Sequence, residues 1–147
     1  MTDVHEGTTV GCAPYRPTLR VVIPALPPAE LRGNSHSVSS GLFHAERRAH
    51  ACYKTMAGYA IIDARNRSGA ASYWRRLPKA HVSVCYVFPD NRRRDVDNYS
   101  GQAIKPVLDA LTDVGVIVDD SFQHLSVSYD ARVERGQQRV ELEVMAA

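Results

Sequence analysis

Apolar positions along the chain change their period several times, and each change marks an element. Residues 19–24 (LRVVIP) are short and β-branched, closed by Pro27 and Pro28, and predict a first strand. Residues 43–64 are rich in good helix formers, with Tyr53, Met56, Ala60 and Ile61 near helical spacing, and predict a helix that tolerates Gly58. Residues 81–88 (HVSVCYVF) alternate, so that Val82, Val84, Tyr86 and Phe88 share the face of a half-buried strand ended by Pro89 and Asp90. Ile104, Val107, Leu108 and Leu111 then fall at i, i+3, i+4 and i+7, an amphipathic helix ending near Gly115. Pro106 sets either the first turn of that helix or a kink in one begun near Tyr99. Residues 122–133 and 138–144 predict two strands separated by a turn around Gly136. Residues 1–17 lack periodicity and predict a loose arm. A loop holding Gly33, Asn34, His36 and Gly41, and a connection over 65–78, complete the irregular parts. The order strand, helix, strand, helix, strand, strand predicts an α/β domain of the α+β two-layer kind over residues 18–147, a small mixed β-sheet packed against two main helices.

Composition narrows this only a little. A chain of 147 residues, 44% of them hydrophobic, suits one domain with a real core. No apolar run approaches the roughly 20 residues of a membrane helix, and the first residues lack a basic start followed by an apolar stretch, so the expectation is a cytoplasmic protein with no membrane partner. Cys12, Cys52 and Cys85 are widely spaced with no C-x-x-C pair, which argues against a disulfide framework or a zinc ribbon.

Charge is more informative in its distribution than in its sum of +2. Residues 44–79 hold eight basic side chains against Glu46 and Asp63, net +6, whereas residues 95–147 hold ten acids against Lys105, Arg132, Arg135 and Arg139, net −6. A basic segment beside an acidic half fits a surface that attracts a polyanion while holding metal-binding carboxylates; a solvated helix face explains the same arginines.

The candidate chemistry lies between the second strand and the third. Arg92, Arg93 and Arg94 precede Asp95, Asp97 and Asn98, and the amphipathic helix carrying Lys105 leads to Asp119 and Asp120. In extended backbone Asp95 and Asp97 project to one side about 7 Å apart and can share a cation. Magnesium prefers hard oxygen ligands, so these acids with Asp119 or Asp120 and a substrate phosphate complete a site, while arginines grip phosphate. The structural alternative makes each aspartate a turn or cap residue. Lys105 is one of three lysines against fifteen arginines. Its compact ammonium suits charge developing on a phosphoryl group, and an i, i+4 pair with Asp109 is the plainer role. No Ser/His/Asp order and no nucleotide-binding glycine motif is present, which leaves covalent catalysis and an organic cofactor without support.

The segments FPDNRRRDVDN (88–98) and KPVLDALTDVGVIVDDS (105–121), in the order strand, acidic pair, helix, acidic pair, resemble the RusA-type Holliday junction resolvases. These are metal-dependent endonucleases that cut four-way DNA junctions and are often carried by phages and prophages. The resemblance covers the chain from about residue 79 onward, with a weaker match in the first strand, Pro27-Pro28 and Asn34. It implies that Asp95, Asp97 and Asp120 bind the metal with Asp119 as accessory, and that Lys105 is the catalytic lysine. It further implies that Arg92, Arg93 and Arg94, with Asn98 and Asn34, contact DNA. Magnesium, with manganese able to replace it, would serve hydrolysis of the phosphodiester in recombination, repair or phage DNA processing. A homodimer would deliver the paired nicks that a near two-fold junction requires. The chain departs from the family in having about one more helical turn between Asn98 and Lys105, in Pro106 directly after the lysine, and in a longer loop over 32–43. Two other functions remain open: a flap or branched-DNA nuclease of broader specificity, and a non-catalytic module that binds branched DNA.

Overall fold

The elements follow the predicted order. The computed structural model describes residues 17–33, 40–70 and 74–147, the first four of the middle stretch by backbone alone. The predicted arm up to Arg16, with Cys12, and the loop residues Asn34 and His36 therefore lie outside the described residues. Strand β1 (Thr18–Ile23) is followed by helix α1 (Ser40–Arg67), strand β2 (Ala80–Phe88), helix α2 (Lys105–Val114), strand β3 (Leu125–Val133) and strand β4 (Arg139–Ala146). Three boundaries differ from the sequence expectation by three residues, the others by one or two. Helix α1 starts earlier and ends later, so Gly41 and Arg65 are helical and the loop after β1 is shorter. Strand β3 starts at Leu125 rather than at 122, because the backbone N–H groups of His124 and Leu125 both donate to the Ser121 carbonyl at 2.9 Å and close a turn there.

The sheet order is β1-β4-β2-β3. Strands β2 and β3 are parallel, and the crossover that parallel neighbours require is supplied by α2. The chain then inserts β4 antiparallel between β1 and β2. So β3 and β4, consecutive in sequence, are not neighbours: the turn at Gly136 (φ 74°) passes over the end of β2, with Glu134 N–H donating to Phe88 O at 3.0 Å and Gly136 N–H to Pro89 O at 3.2 Å. That passage ties the end of β2, where the candidate chemistry begins, to the last hairpin-like turn.

Alternation decides which face is buried. Leu19, Val21 and Ile23 of β1, Val82, Val84 and Tyr86 of β2, and Val140, Leu142 and Val144 of β4 all point to one face, covered by Tyr53, Ala57 and Ile61 of α1 and by Val107 and Leu111 of α2. Each such aliphatic side chain contributes about 1.5–3 kcal/mol when withdrawn from water. The opposite face is polar, with Arg132 and Arg139 paired to Glu134 and Glu141 and Arg20 to Glu143. Burial pushes the Tyr53 phenol far above its ordinary range, and its hydroxyl donates to Ala25 O at 2.9 Å, fixing the chain after β1 onto α1.

Pro106 lies in the first turn of α2, where its missing N–H costs no hydrogen bond, so the helix is not kinked. Gly115 closes the helix in the left-handed region at φ 89°. Two arginines of the basic segment finish the job: Arg76 donates to Thr112 O at 3.2 Å and Arg65 to Val114 O at 3.0 Å, cations on the negative end of the helix. Lys54 of the same segment pairs with Asp113 at 2.6 Å, binding α1 to α2. No helix among the described residues is long and apolar enough to cross a membrane.

Candidate functional site

The segment from Pro89 to Ile104, between β2 and α2, is built without strand or α-helix. Asp90 organises its start. Its carboxylate accepts from Arg92 N–H and Nε at 3.1 Å and from Arg94 Nη2 at 2.8 Å, and the Arg92 hydrogen bonds, reinforced by Arg94, hold the Asp90 carboxyl well below the usual carboxylate range. Arg94 also donates to the carbonyls of Asp90 (2.9 Å) and Arg92 (3.1 Å), and its guanidinium lies 4.2 Å from the Phe88 ring centroid. The three arginines therefore separate by role. Arg94, with a side chain 16% exposed, clamps the loop, whereas Arg92 and Arg93 are 80% and 92% exposed.

The next residues correct the expectation of an extended acidic pair. Asp95 is extended (φ −85°, ψ 138°), but Val96–Asn98 forms a 3-10 turn. The two-residue alternation of a strand therefore does not run from Asp95 to Asp97, and the extended spacing of about 7 Å on one side does not apply. Asp95 faces Arg93 at 3.6 Å; among the described residues no hydrogen bond or ion pair engages Asp97. Neither acid caps α2, whose N-cap is Ile104, and Asp95 makes no side-chain cap bond to its own turn.

Tyr99 then anchors the loop to the core. Its ring packs against Tyr86 at 5.2 Å and Phe88 at 5.0 Å, and its carbonyl accepts from the Tyr86 hydroxyl. Burial raises the Tyr86 phenol far above its ordinary range. A second 3-10 turn (Gly101–Ala103) delivers Lys105 to the start of α2. Its ammonium pairs with Asp109 at 2.9 Å, as the i, i+4 alternative requires, and also with Asp120. The hydrogen bond to Asp120, then that to Asp109, raises the lysine above its ordinary range and keeps it charged. Asp109 is shared with His50 of α1 at 3.3 Å. Asp119, next to Asp120 in the link from α2 to β3 and not in a hairpin, is lowered by the hydroxyl of Ser121.

Two groups result. Arg92, Arg93, Arg94, Asp95 and Asn98 share a cleft of about 470 Å³ with Arg32, Tyr99 and Gln138. Lys105 gathers Asp109 and Asp120 at the start of α2. Among the described residues no set of three or more His, Cys, Asp or Glu side chains stands close enough to hold a metal ion. The donors fit magnesium in kind, since every one is a carboxylate oxygen, while Lys105 takes the Asp120 oxygen that such an ion would need.

The sequence placed Arg32 and Gly33 in a loop without giving either a role at the site. Arg32 Nε donates to Pro27 O at 2.7 Å, its guanidinium lies 5.6 Å over the Tyr99 ring, and it brings a fourth arginine to the cleft. Gly33 (φ 50°) runs against Asn98, where an added Cβ would stand 1.9 Å from Asn98 Oδ1. The only local signal was the prolines at 27 and 28, which fix the entry of this loop; the contact partner is 65 residues away in sequence. Asn34, the other expected DNA contact, lies outside the described residues. No model of a known protein family matches the chain, and no curated protein matches it.

Proposed function

We propose that the chain is a magnesium-dependent endonuclease of branched DNA, a four-way junction above all, working as a homodimer whose two copies make paired nicks. The observation that carries this is the cleft in which Asp95 stands among Arg32, Arg92 and Arg93, a carboxylate set within a grip for anions. The resemblance of residues 88–121 to the RusA-type resolvases supports the same reading. Asp95, Asp97 and Asp120, with Asp119 beside them, would hold the ion, and manganese would substitute for it. When bound it supplies an activated water and charge neutralisation at phosphorus. The chain's own groups do the rest. Exposed Arg92 and Arg93 bind phosphates, Arg94 keeps their loop in shape, and Lys105, kept protonated by its two carboxylates, meets negative charge developing on the phosphoryl oxygens. Release of Asp120 from Lys105 would free both for these tasks.

One observation favours a second reading, a module that binds branched DNA without cutting it: the acids are not gathered at one point. Cleavage of a labelled mobile four-way junction, with flap and linear duplex beside it, in magnesium or chelator, separates the two. Symmetric nicks by the parent that disappear in chelator and in Asp97→Asn, with binding retained, are expected. Binding with no cleavage in magnesium or manganese would leave the binding module. Faster turnover of flaps than of junctions would make the chain a nuclease of broader specificity.

A further inference from the structure

Beside the arginine cleft lies a second one, of about 300 Å³, lined by Tyr86, Phe88, Val96, Tyr99, Tyr129 and Ala131. The sequence placed Tyr86 and Phe88 on the half-buried face of a strand and gave Tyr99 and Tyr129 no role. Arg94, Asp95 and Tyr99 belong to both clefts and form the wall between them. The second lies along β3, the edge strand of the sheet. Leu125, Tyr129, Ala131 and Val133 lie on the face that β2 buries, paired with Ala80, Val84, Tyr86 and Phe88, yet only Leu125 is itself buried; Tyr129 is 36% and Val133 44% exposed.

Resting on the nucleic-acid reading above, we infer that this cleft receives one unstacked nucleobase of the strand whose phosphate lies in the arginine cleft. The floor is aromatic: Tyr86, Phe88 and Tyr99 are each less than 10% exposed, and the Tyr129 ring lies parallel to Tyr86 within 2° at 6.5 Å. A flat ring that enters meets preset aromatic surfaces, and base-on-aromatic stacking works for every base. Charge sorts the two parts of a nucleotide. Arg94 and Asp95 line both clefts, but Asp130 stands at the aromatic cleft alone and disfavours a phosphate there, while Arg32, Arg92 and Arg93 line only the other cleft and draw the phosphate to it. A volume of about 300 Å³ has room for one base. A cleft of this kind selects DNA whose strand is already unpaired, since a base in a duplex has first to be unstacked.

The test measures binding in chelator, so that it does not depend on cleavage. Single-stranded oligonucleotides carrying one 2-aminopurine, and the matching duplex, are titrated with the parent, Tyr129→Ala, Tyr129→Phe and Val96→Glu; Tyr129 and Val96 are exposed enough for each variant to fold, which circular dichroism verifies. We expect Tyr129→Ala and Val96→Glu to lose about ten-fold in single-strand affinity, the order of one base stack, together with the 2-aminopurine signal. Duplex binding should stay level, and Tyr129→Phe, which keeps the ring, should behave as the parent. Equal single-strand affinity in the parent and both variants would overturn the inference while leaving the nuclease reading intact. A parent that shows the base signal but never cleaves in magnesium would leave the base site standing and remove the nuclease. A variant that changes sedimentation from dimer to monomer with unaltered DNA binding would assign the cleft to a second copy of the chain and overturn the inference.

Discussion

At the scale of single residues, Lys105 is the most tightly specified candidate. Its ammonium is raised above its ordinary range by hydrogen bonds to Asp120 and Asp109. A folded-state pKa above the unfolded one means that the charge is complete at neutral pH and is lost only in strong alkali. In the metal-free protein the Lys105 ammonium should therefore show no titration step between about pH 7 and pH 10 when followed by NMR in chelator. Lys105→Ala should slow single-turnover cleavage about a hundred-fold or more, the cost of one donor to a developing oxyanion. Lys105→Arg should recover little, because a planar guanidinium does not replace a point charge. Urea unfolding should shift by less than about 1 kcal/mol, since both carboxylates are partly exposed. A stability loss that tracks the rate loss would make Lys105 a structural residue only. The arginine triplet gives a sharper contrast. Arg94→Ala removes three hydrogen bonds and a ring contact, and about 1–3 kcal/mol of unfolding free energy is expected to go with them. Arg93→Ala should leave stability unchanged and weaken DNA binding. Nothing in RRR distinguishes these positions; only packing against Phe88 and Asp90 does.

At the scale of elements, legibility followed periodicity. The alternation in β2 gave that strand to within a residue, and the i, i+3, i+4 pattern of α2 gave its end while leaving its start open between Pro106 and Tyr99; the order of all six was legible because burial on one face imposes those periods. Between Pro89 and Ile104 no period exists, and there the D-x-D pair was misjudged: a strand that stops at Phe88 does not pass its alternation to Asp97, which sits in a 3-10 turn. The insertion of β4 between β1 and β2 was equally illegible, since sheet order depends on contacts far apart in sequence. So was the approach of Gly33 to Asn98, and it carries a prediction. Gly33→Ala must push the Asn98 side chain out of the arginine cleft, besides straining a backbone at φ 50°. DNA affinity should fall several-fold in Gly33→Ala, and by much less when the same change is made in Asn98→Ala, whose side chain leaves room. A double-mutant cycle on binding in chelator reads the difference directly. Additive losses would show that the strain of Gly33, not the displacement of Asn98, is responsible.

For the whole molecule, the question is which of its positive charges face DNA. By count the basic run over residues 44–79 is the obvious grip, yet the fold uses much of it internally. Arg65 and Arg76 terminate α2, Lys54 joins α1 to Asp113, and Arg67 pairs with Asp63 at 3.1 Å. The exposed arginines at 92 and 93 stand instead at the end of β2, on the loop that carries Asp95 and Asp97, and Arg32 joins them in the cleft from the link after β1. Each phosphate neutralised by a cation releases counterions, so the logarithm of affinity falls with the logarithm of salt by about one unit of slope per contact. Measuring junction affinity in chelator from about 50 to 200 mM salt should give a slope that drops by roughly one in Arg93→Ala and again in Arg92→Ala. The slope should not change in Arg67→Ala or Arg76→Ala, even where α2 loses some stability. If those two variants flattened the slope as much as Arg93→Ala does, DNA would lie along α1 rather than across the end of β2. The acids would then be on the wrong side of the molecule to act on the phosphates it grips.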